Sequence, residues 1–407
     1  MLKKVGAVAA FAALASVLVA TTAWGSAKAP ARASAAAAKT IKCGKTVTVG
    51  IAYPATGPAA SLGAPQFDWA VQAKKHWNHG HKLKIKLVVG DTQLGNSPGL
   101  AVPVAHSFAS NGKMLAVVGP AGSQEVQDSI AVYKKAGLVA VSGSATRIFL
   151  TRAKAGTPRE TPKGAFFRTV PNDGQQGDRV ADWIHTKLKF KHVYIIDDEE
   201  AYSQGLADQV QADLKKFKVN AGRNHISQQQ QDFSSIITAI PSNTQIVYIP
   251  WQLPGQAQTF YQQLRASGKK AMIMGSDGTD APGTFQPNGH GYVSGFPVDF
   301  TSPVLKSFTK AHHGQPETFG IPSYTATMVA ATAIQKACKA GHGKTTRIAV
   351  RKQVQKVKLT AKAGLLGFPI VFLNKNKGTY QGPGDMGGTA NFAVYQVTSS
   401  GSYKRVG

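Results

Sequence analysis

Residues 115–124 read Leu-Ala-Val-Val-Gly-Pro-Ala-Gly-Ser-Gln. Four apolar residues in a row, two of them β-branched, make a short buried strand. Gly119-Pro120 ends it. From Gln124 to Lys135 the apolar spacing is helical, so the chain runs from strand through a glycine turn into a helix. In an open α/β sheet such a turn lies beyond the carboxyl end of the strand, where ligands bind. Ser123 stands at the helix start, where free N–H groups and the helix dipole favour an anion.

The same alternation continues in both directions. Upstream, Val47–Ile51 reads as a strand and Pro65–His76 as a helix. Leu83–Val89 reads as a strand, and a helix from Asn96 through Phe108 carries Pro103 inside it, which predicts a kink or a shortened helix. Downstream, Leu138–Val141 is a strand. After Arg168 come a helix at Gln176–Leu188, a strand at His192–Ile196 and a helix at Gly205–Phe217. A strand at Gln245–Ile249, a helix at Gln256–Ser267 and strands at Ala271–Met274 and Tyr292–Phe296 follow. A helix at Pro322–Lys339 and a β-rich tail (Asn391–Val397, Ser402–Val406) come last. Short strands alternating with helices predict α/β architecture with doubly wound parallel sheets. Two such runs with a late return predict two lobes joined by a hinge of several strands. The expected division is 45–168 for the first part of lobe 1 and 169–297 for the first part of lobe 2. Residues 298–380 then return to lobe 1, and 381–407 form C-terminal strands of lobe 2.

The 407 residues are 43% hydrophobic and 16% charged, too apolar for a disordered chain. One long apolar run exists, Val5–Ala20, which excludes a multi-pass membrane protein. It follows Lys3 and Lys4 and precedes small residues such as Ala27-Lys28-Ala29, the pattern of a secretory signal peptide over 1–33, with a linker over 34–44. An exported protein, in a periplasm or at the cell surface, is expected. Export leaves Cys43 and Cys338 open to pair, although two separate thiols fit the sequence equally well. Lys and Arg number 47 against 20 Asp and Glu, a formal charge of +27. The basic residues are scattered, with no basic helix interleaved with aromatics, so nucleic acid is not the expected partner. Attraction to anionic envelope polymers or lipid head groups fits the charge better.

Three strand ends gather polar groups: Val118–Gln124, Val141–Thr146 and Met274–Gly278. The first two offer amides and hydroxyls, the third the Asp277 carboxylate. Together they suit a zwitterion, with –COO⁻ on Ser123 and its neighbours and –NH₃⁺ on Asp277. Two acid or histidine clusters compete for attention. Asp197-Asp-Glu-Glu200 reads as a solvated loop, and His76-Trp-Asn-His79-Gly-His81 as a helix-to-strand loop without partner acids; neither is expected to bind metal. No G-x-S-x-G, H-E-x-x-H or Walker pattern occurs, so an enzyme is not expected, nor is a cofactor.

Several stretches carry a family likeness. They are Gly50-Ile-Ala-Tyr-Pro-Ala-Thr-Gly-Pro-Ala-Ala-Ser-Leu-Gly63, Ala116-Val-Val-Gly-Pro-Ala-Gly-Ser123 and Ser142-Gly-Ser-Ala-Thr146. Phe167-Arg-Thr-Val-Pro-Asn-Asp173, Gln176-Gly177 and Tyr202-Ser-Gln-Gly-Leu-Ala207 complete the set. Over about residues 45–400 the chain resembles the branched-chain amino-acid binding proteins of ABC importers, which have the type I periplasmic binding fold. The resemblance implies that Ser123 binds the ligand carboxylate through its hydroxyl and amide. It implies that Thr146 adds an amide and a hydroxyl, and that Ser144 gives its carbonyl to the ammonium. Ala121, Gly122 and Ala145 lie in the same two loops. Asp277 takes the place of an acid that is often Glu in the family, and Tyr202 that of a cleft tyrosine. Leu62, Trp251, Gln252 and Phe319 fall near positions that shape the side-chain pocket, and Trp251 there implies a flatter or larger ligand unless it packs inside its lobe. The implied partner is an ABC permease, with the binding protein a monomer. Two other readings stay open: a ligand sensor of the same fold, and a binder of an aromatic acid, amide or urea.

Overall fold

The computed structural model describes residues 39–96, 99–296, 303–312, 318–387 and 392–407. The expected signal peptide and residues 34–38 of the expected linker lie outside these residues. Among the described residues no helix is long and apolar enough to cross a membrane.

The first sheet has five parallel strands: β1 (Thr46–Tyr53), β2 (Lys84–Asp91), β3 (Met114–Val118), β4 (Ala140–Ser142) and β5 (Phe166–Arg168), in the order β2-β1-β3-β4-β5. All five residues of β3 are buried, as the unbroken apolar run requires of a central strand covered on both faces. Helices α1 (Ala60–Gly80), α2 (Ala101–Ser110) and α3 (Ser123–Lys135) connect these strands. Helix α1 begins five residues before the expected Pro65, which sits inside it. Pro103 falls in the first turn of α2, where a missing N–H leaves no intrahelical bond unmade, so the proline starts the helix instead of kinking it.

The second sheet has seven strands: β6 (His192–Asp197), β7 (Asn220–His225), β8 (Ile246–Ile249), β9 (Met272–Gly275), β10 (Gly291–Gly295), β11 (Ala393–Val397) and β12 (Tyr403–Arg405). Their order is β12-β11-β10-β9-β8-β6-β7. The strands β6 to β10 pair in parallel, whereas β11 and β12 add antiparallel at one edge, so this sheet is mixed and not purely parallel. Around it lie α4 (Asp173–Asp182), which continues as a π-helical stretch Trp183–Lys187, then α5 (Ala201–Lys216), α6 (Ser234–Ala239) and α7 (Pro254–Ala266). The edge strand β7 and the short α6 have no counterpart in the sequence reading. Asn-Ala-Gly-Arg-Asn-His carries no apolar alternation because an edge strand at the surface has little to bury.

After α8 (Pro303–His312) the chain returns to the first sheet through α9 (Gly320–Ala340) and α10 (Arg347–Val354). Helix α9 is buried along most of its length because it packs against α1, β3, β4 and α10 at once. Arg347 secures this return. Its guanidinium donates to the carbonyls of Ala109, Asn111, Met114 and Ala136 at 2.7–3.2 Å, gathering the ends of α2 and α3 and the start of β3. The stretch 381–387 stays against the first sheet, where Arg168 N–H donates to Gly384 O at 3.1 Å, before β11 joins the second.

Cys43 and Cys338 form a disulfide across a sequence separation of 295 residues. Beside it, Ile41–Lys42 pairs antiparallel with Lys344–Thr345. The bond joins the start of the described chain to the end of α9, and closing so long a loop restricts the unfolded chain strongly. Replacing both cysteines by serine is expected to lower unfolding free energy by about 2–4 kcal/mol in urea titrations, with the far-UV spectrum retained. A loss below about 0.5 kcal/mol would show that the bond contributes little.

Candidate functional site

The two units meet at the carboxyl ends of β3, β4, β6, β8 and β9, around a narrow cleft. Leu62, Ala121, Gly122, Ser123, Ser144, Tyr202, Gln252, Asp277 and Phe319 line it, as do three residues the sequence reading missed: Gln66, Leu94 and Gly278. Gln66 was within reach of that reading, since it sits one turn after Leu62 on α1 and its amide donates to Leu62 O at 3.0 Å.

One wall is built on the β3–α3 turn. Gly119 holds φ at +100°, and a Cβ there would lie 2.1 Å from Ala52 O, so only glycine fits. Gly122 caps α3 and Ser123 opens it. The Ser123 hydroxyl oxygen accepts from the Arg147 N–H at 3.2 Å, leaving its proton for another acceptor. Ser142 ties this turn to the β4 loop: its hydroxyl donates to Pro120 O at 2.7 Å and accepts from the N–H groups of Ser144 and Ala145 at 3.2 and 3.0 Å. The Ser144 hydroxyl lies 2.8 Å from Ala121 O and 3.2 Å from Gln66 Oε1. Behind the turn, Glu125 Oε2 accepts from Gly122 N–H at 2.9 Å. Burial raises this carboxyl to about 7.

The facing wall belongs to the second sheet. Asp277 follows β9 in a short turn capped by Ser276. It is fully buried, and the Tyr202 hydroxyl, from the first turn of α5, donates to it. Burial raises Asp277 to about 6, partly offset by that hydrogen bond. Burial, then the Asp277 charge, pushes Tyr202 well above its ordinary value, so the phenol keeps its proton and donates. Gly278 approaches the chain so closely that a Cβ would sit 2.4 Å from Trp251 O.

Three expected site residues do not line the cavity. Trp251 packs inside the second unit, with Phe260 and Phe233 rings at 5.2 and 5.8 Å and its indole N–H donating to Ile196 O at 2.7 Å. An indole that fits the core and finds a buried acceptor there has no reason to face the cleft, so it gives no support for a flatter or larger ligand. The Ala145 amide is taken by Ser142 and its carbonyl by Arg168. Thr146 lies behind the wall, fully buried, with its side chain beside the Asp173 carboxyl.

The two clusters weighed against this site also resolve. Asp197 and Asp198 are buried and not solvated: Asp197 pairs with Arg223 at 2.9 Å and Asp198 accepts from Gln228 at 3.0 Å. Glu200, just before α5, is raised to about 7 by burial and then by the charges of Asp198, Asp128 and Glu125. His76 and His79 belong to α1 and not to a loop; His76 bonds the Tyr324 hydroxyl, and His81, just past the helix, stacks on Trp77 at 3.6 Å.

Across the rim the units touch through Leu253 against Ala59 and Leu94. Gln229 donates to Gly95 O at 2.9 Å and Arg147 to Ala201 O at 2.6 Å.

Against known proteins, the periplasmic binding protein family matches residues 46–402. An amino acid binding protein of Pseudomonas aeruginosa is 33% identical over 263 residues, covering 62% of this chain and 67% of the relative. A Leu/Ile/Val-binding protein of Citrobacter freundii is 29% identical over 239 residues, 58% of this chain and 62% of its own length. The alignments thus span roughly three-fifths to two-thirds of these curated relatives. The crystal structure of a leucine binding protein from Thermotoga maritima superposes with a TM-score of 0.72 at 20% identity, covering 89% of this chain and 98% of that one, a likeness of fold.

Glu125 yields a pH test. Its proton is held more tightly in the folded state, at about 7, than in the unfolded chain, near 4.5. The folded state therefore binds more protons between those values, and stability falls as pH rises through them. Glu125→Gln is expected to stabilise the protein by ~1–3 kcal/mol at pH 8 relative to wild type and by little at pH 4. Denaturant titrations at the two pH values check the sign.

Proposed function

This chain belongs to the periplasmic binding protein family, and we propose that it is the solute-capturing component of an ABC importer, exported from the cytoplasm and closing its two units over a small α-amino acid. The observation that carries this reading is the opposition of two chemistries across one cavity. Ser123 stands at the start of α3 on one wall, and Asp277, held by Tyr202, stands on the other. A ligand carboxylate meets the Ser123 hydroxyl and the free amides of the first helical turn. A ligand ammonium meets Asp277. Leu62, Leu94 and Phe319 supply the apolar surface for an aliphatic side chain.

Selectivity follows from burial. A ligand shifts the open–closed equilibrium only through contacts that differ between the two states. Here the carboxylate side comes from one unit and the ammonium side from the other, so only a ligand with both charges gains from closure. An amine-free acid leaves Asp277 buried without its counter-charge, which costs free energy.

The test is a melting-temperature screen of the mature protein with L-leucine, L-isoleucine, L-phenylalanine and the amine-free 4-methylpentanoate. An amino acid at 100 times its Kd adds ~2.7 kcal/mol of stability. Ser123→Ala is expected to weaken that ligand by ~1–3 kcal/mol in calorimetry. Undiminished affinity in Ser123→Ala displaces the carboxylate from this helix start, and a shift with 4-methylpentanoate alone removes the amino-acid reading.

A further inference from the structure

The first sheet carries the cleft on its carboxyl edge and a different chemistry on its amino edge. There the described chain begins at Lys39, and five segments converge. Lys84 N–H donates to Lys45 O and Cys43 N–H to Gly343 O, each at 2.9 Å. Arg347 gathers the carbonyls of Ala109, Asn111, Met114 and Ala136. A Cβ on Gly112 would lie 3.9 Å from Lys39 Nζ. These contacts bring 39–45, 78–84, 109–114, 134–136 and 338–347 to one edge, with the starts of β1, β2 and β3 and the ends of α1, α2, α3 and α9.

Together the five segments hold ten lysines and no aspartate or glutamate. All of these lysines but Lys84 are exposed. Among the described residues none of the ten pairs with a carboxylate. The acids of this part of the chain lie elsewhere: Asp91 ends β2, Glu125 and Asp128 stand in the first half of α3, Asp68 in the first half of α1, and Glu160 pairs with Arg147. The helix dipole accounts for Lys134, Lys135 and Lys339, which stand in last helical turns. It does not account for Lys42, Lys45, Lys113 and Lys344, on strands and turns. Lys42 even faces Lys344 directly across a two-stranded ladder, a repulsive arrangement. The second sheet also has lysines at its amino edge, but there Asp213 pairs with Lys216 and Asp182 with Arg179.

We propose that this acid-free edge of the first unit is a docking face for an anionic phospholipid bilayer, its lysines meeting headgroup phosphates while the cleft points away. The attraction of each lysine fades within a Debye length, so the ten act together only when one edge turns them all toward the same surface. The place where the chain enters favours a bilayer over a soluble polyanion. The residues upstream of Lys39, which include the apolar run Val5–Ala20, join the fold on this face. A chain leaving the membrane during export therefore presents this edge to it. Held this way, the protein stays at the membrane with its cleft free for solute. The assignment rests on the export part of the reading above and not on the choice of an amino acid as ligand.

The experiment is co-sedimentation of the full mature protein with vesicles of phosphatidylcholine containing about 30% phosphatidylglycerol, and with vesicles of phosphatidylcholine alone. Wild type is expected to partition onto the anionic vesicles at about 0.05 M salt, to lose that partition about tenfold or more at about 0.5 M salt, and to leave the neutral vesicles bare. A variant combining Lys42→Gln, Lys45→Gln, Lys339→Gln and Lys344→Gln should partition about tenfold or more weakly. A control combining Lys187→Gln, Lys191→Gln, Lys215→Gln and Lys270→Gln, all exposed on the second unit, changes the net charge equally and should lose about twofold or less. Both should melt like wild type, since exposed lysines are exchanged and one repulsive pair is relieved. Equal loss in the two variants overturns the face and leaves only net charge. Absence of wild type from the anionic vesicles overturns the bilayer, and retention by soluble polyphosphate in its place gives the lysines to a polymer. Recovery of the protein from the cytoplasmic fraction of cells overturns the export reading, a failure separate from either vesicle result.

Discussion

The buried pair of Arg168 and Asp385 holds the site together. The Arg168 Nε–H donates to Asp385 Oδ1 at 2.6 Å, with both side chains nearly or wholly out of solvent. Two desolvated charges are costly unless every remaining donor and acceptor is matched. Here four of the five guanidinium N–H groups have an acceptor. Arg168 also reaches Ala145 O, Arg147 O and Thr151 Oγ1, while Asp385 accepts from Thr151, Asn172 and Gly382. Each partner lies on a segment that shapes the cleft or crosses between the sheets. The loop after β4 carries Ser144 to Arg147, Asn172 caps α4 before Asp173, and 381–387 leads toward β11. One ion pair thereby fixes the loop after β4 relative to the start of α4 and to the 381–387 stretch.

The acids are distributed in a way that the net charge hides. The chain carries +27, yet five of its 20 carboxylates, Glu125, Asp173, Asp198, Glu200 and Asp277, are raised by burial at or beside the junction of the two units. Glu125 and Asp128 from α3 act on Glu200 at the start of α5, so part of this repulsion runs between the units. Bringing them together therefore favours protonated carboxyls or an incoming cation. A basic exterior and an acidic junction serve different ends: the first governs attraction to anionic surfaces, the second what enters the cleft.

Much of this was legible in the residues. The Val118–Ser123 turn, the Ser142–Thr146 loop and Asp277 each end a strand, and a parallel sheet brings strand ends to one edge. Nine of the twelve expected site residues line the cavity. What failed did so for physical reasons. Trp251 satisfies its N–H inside the core, which no local pattern reveals. Asp197 and Asp198 look solvated until Arg223 and Gln228, more than 25 residues away in sequence, supply their partners. The edge strand β7 lacks alternation because its side chains face neither core fully. Cys43 and Cys338 could be counted, but only the return of α9 to the first sheet places them together.

Closure itself needs only part of its driving force from a ligand. Leu253 covers Ala59 and Leu94, Gln229 holds Gly95 O, and Arg147 holds Ala201 O, all from protein groups alone. Such rim contacts favour the closed arrangement whatever lies inside, so they raise affinity for every ligand alike and discriminate among none. Discrimination must come from groups whose satisfaction depends on what is inside: the Ser123 hydroxyl, and the Asp277 carboxylate with Tyr202 behind it. Leaving such a buried group unpaired costs more than a typical formed bond gains. On the amino-acid reading proposed above, the cleft would therefore reject a ligand that lacks one charge more strongly than it rewards a better apolar fit along Leu62 and Phe319.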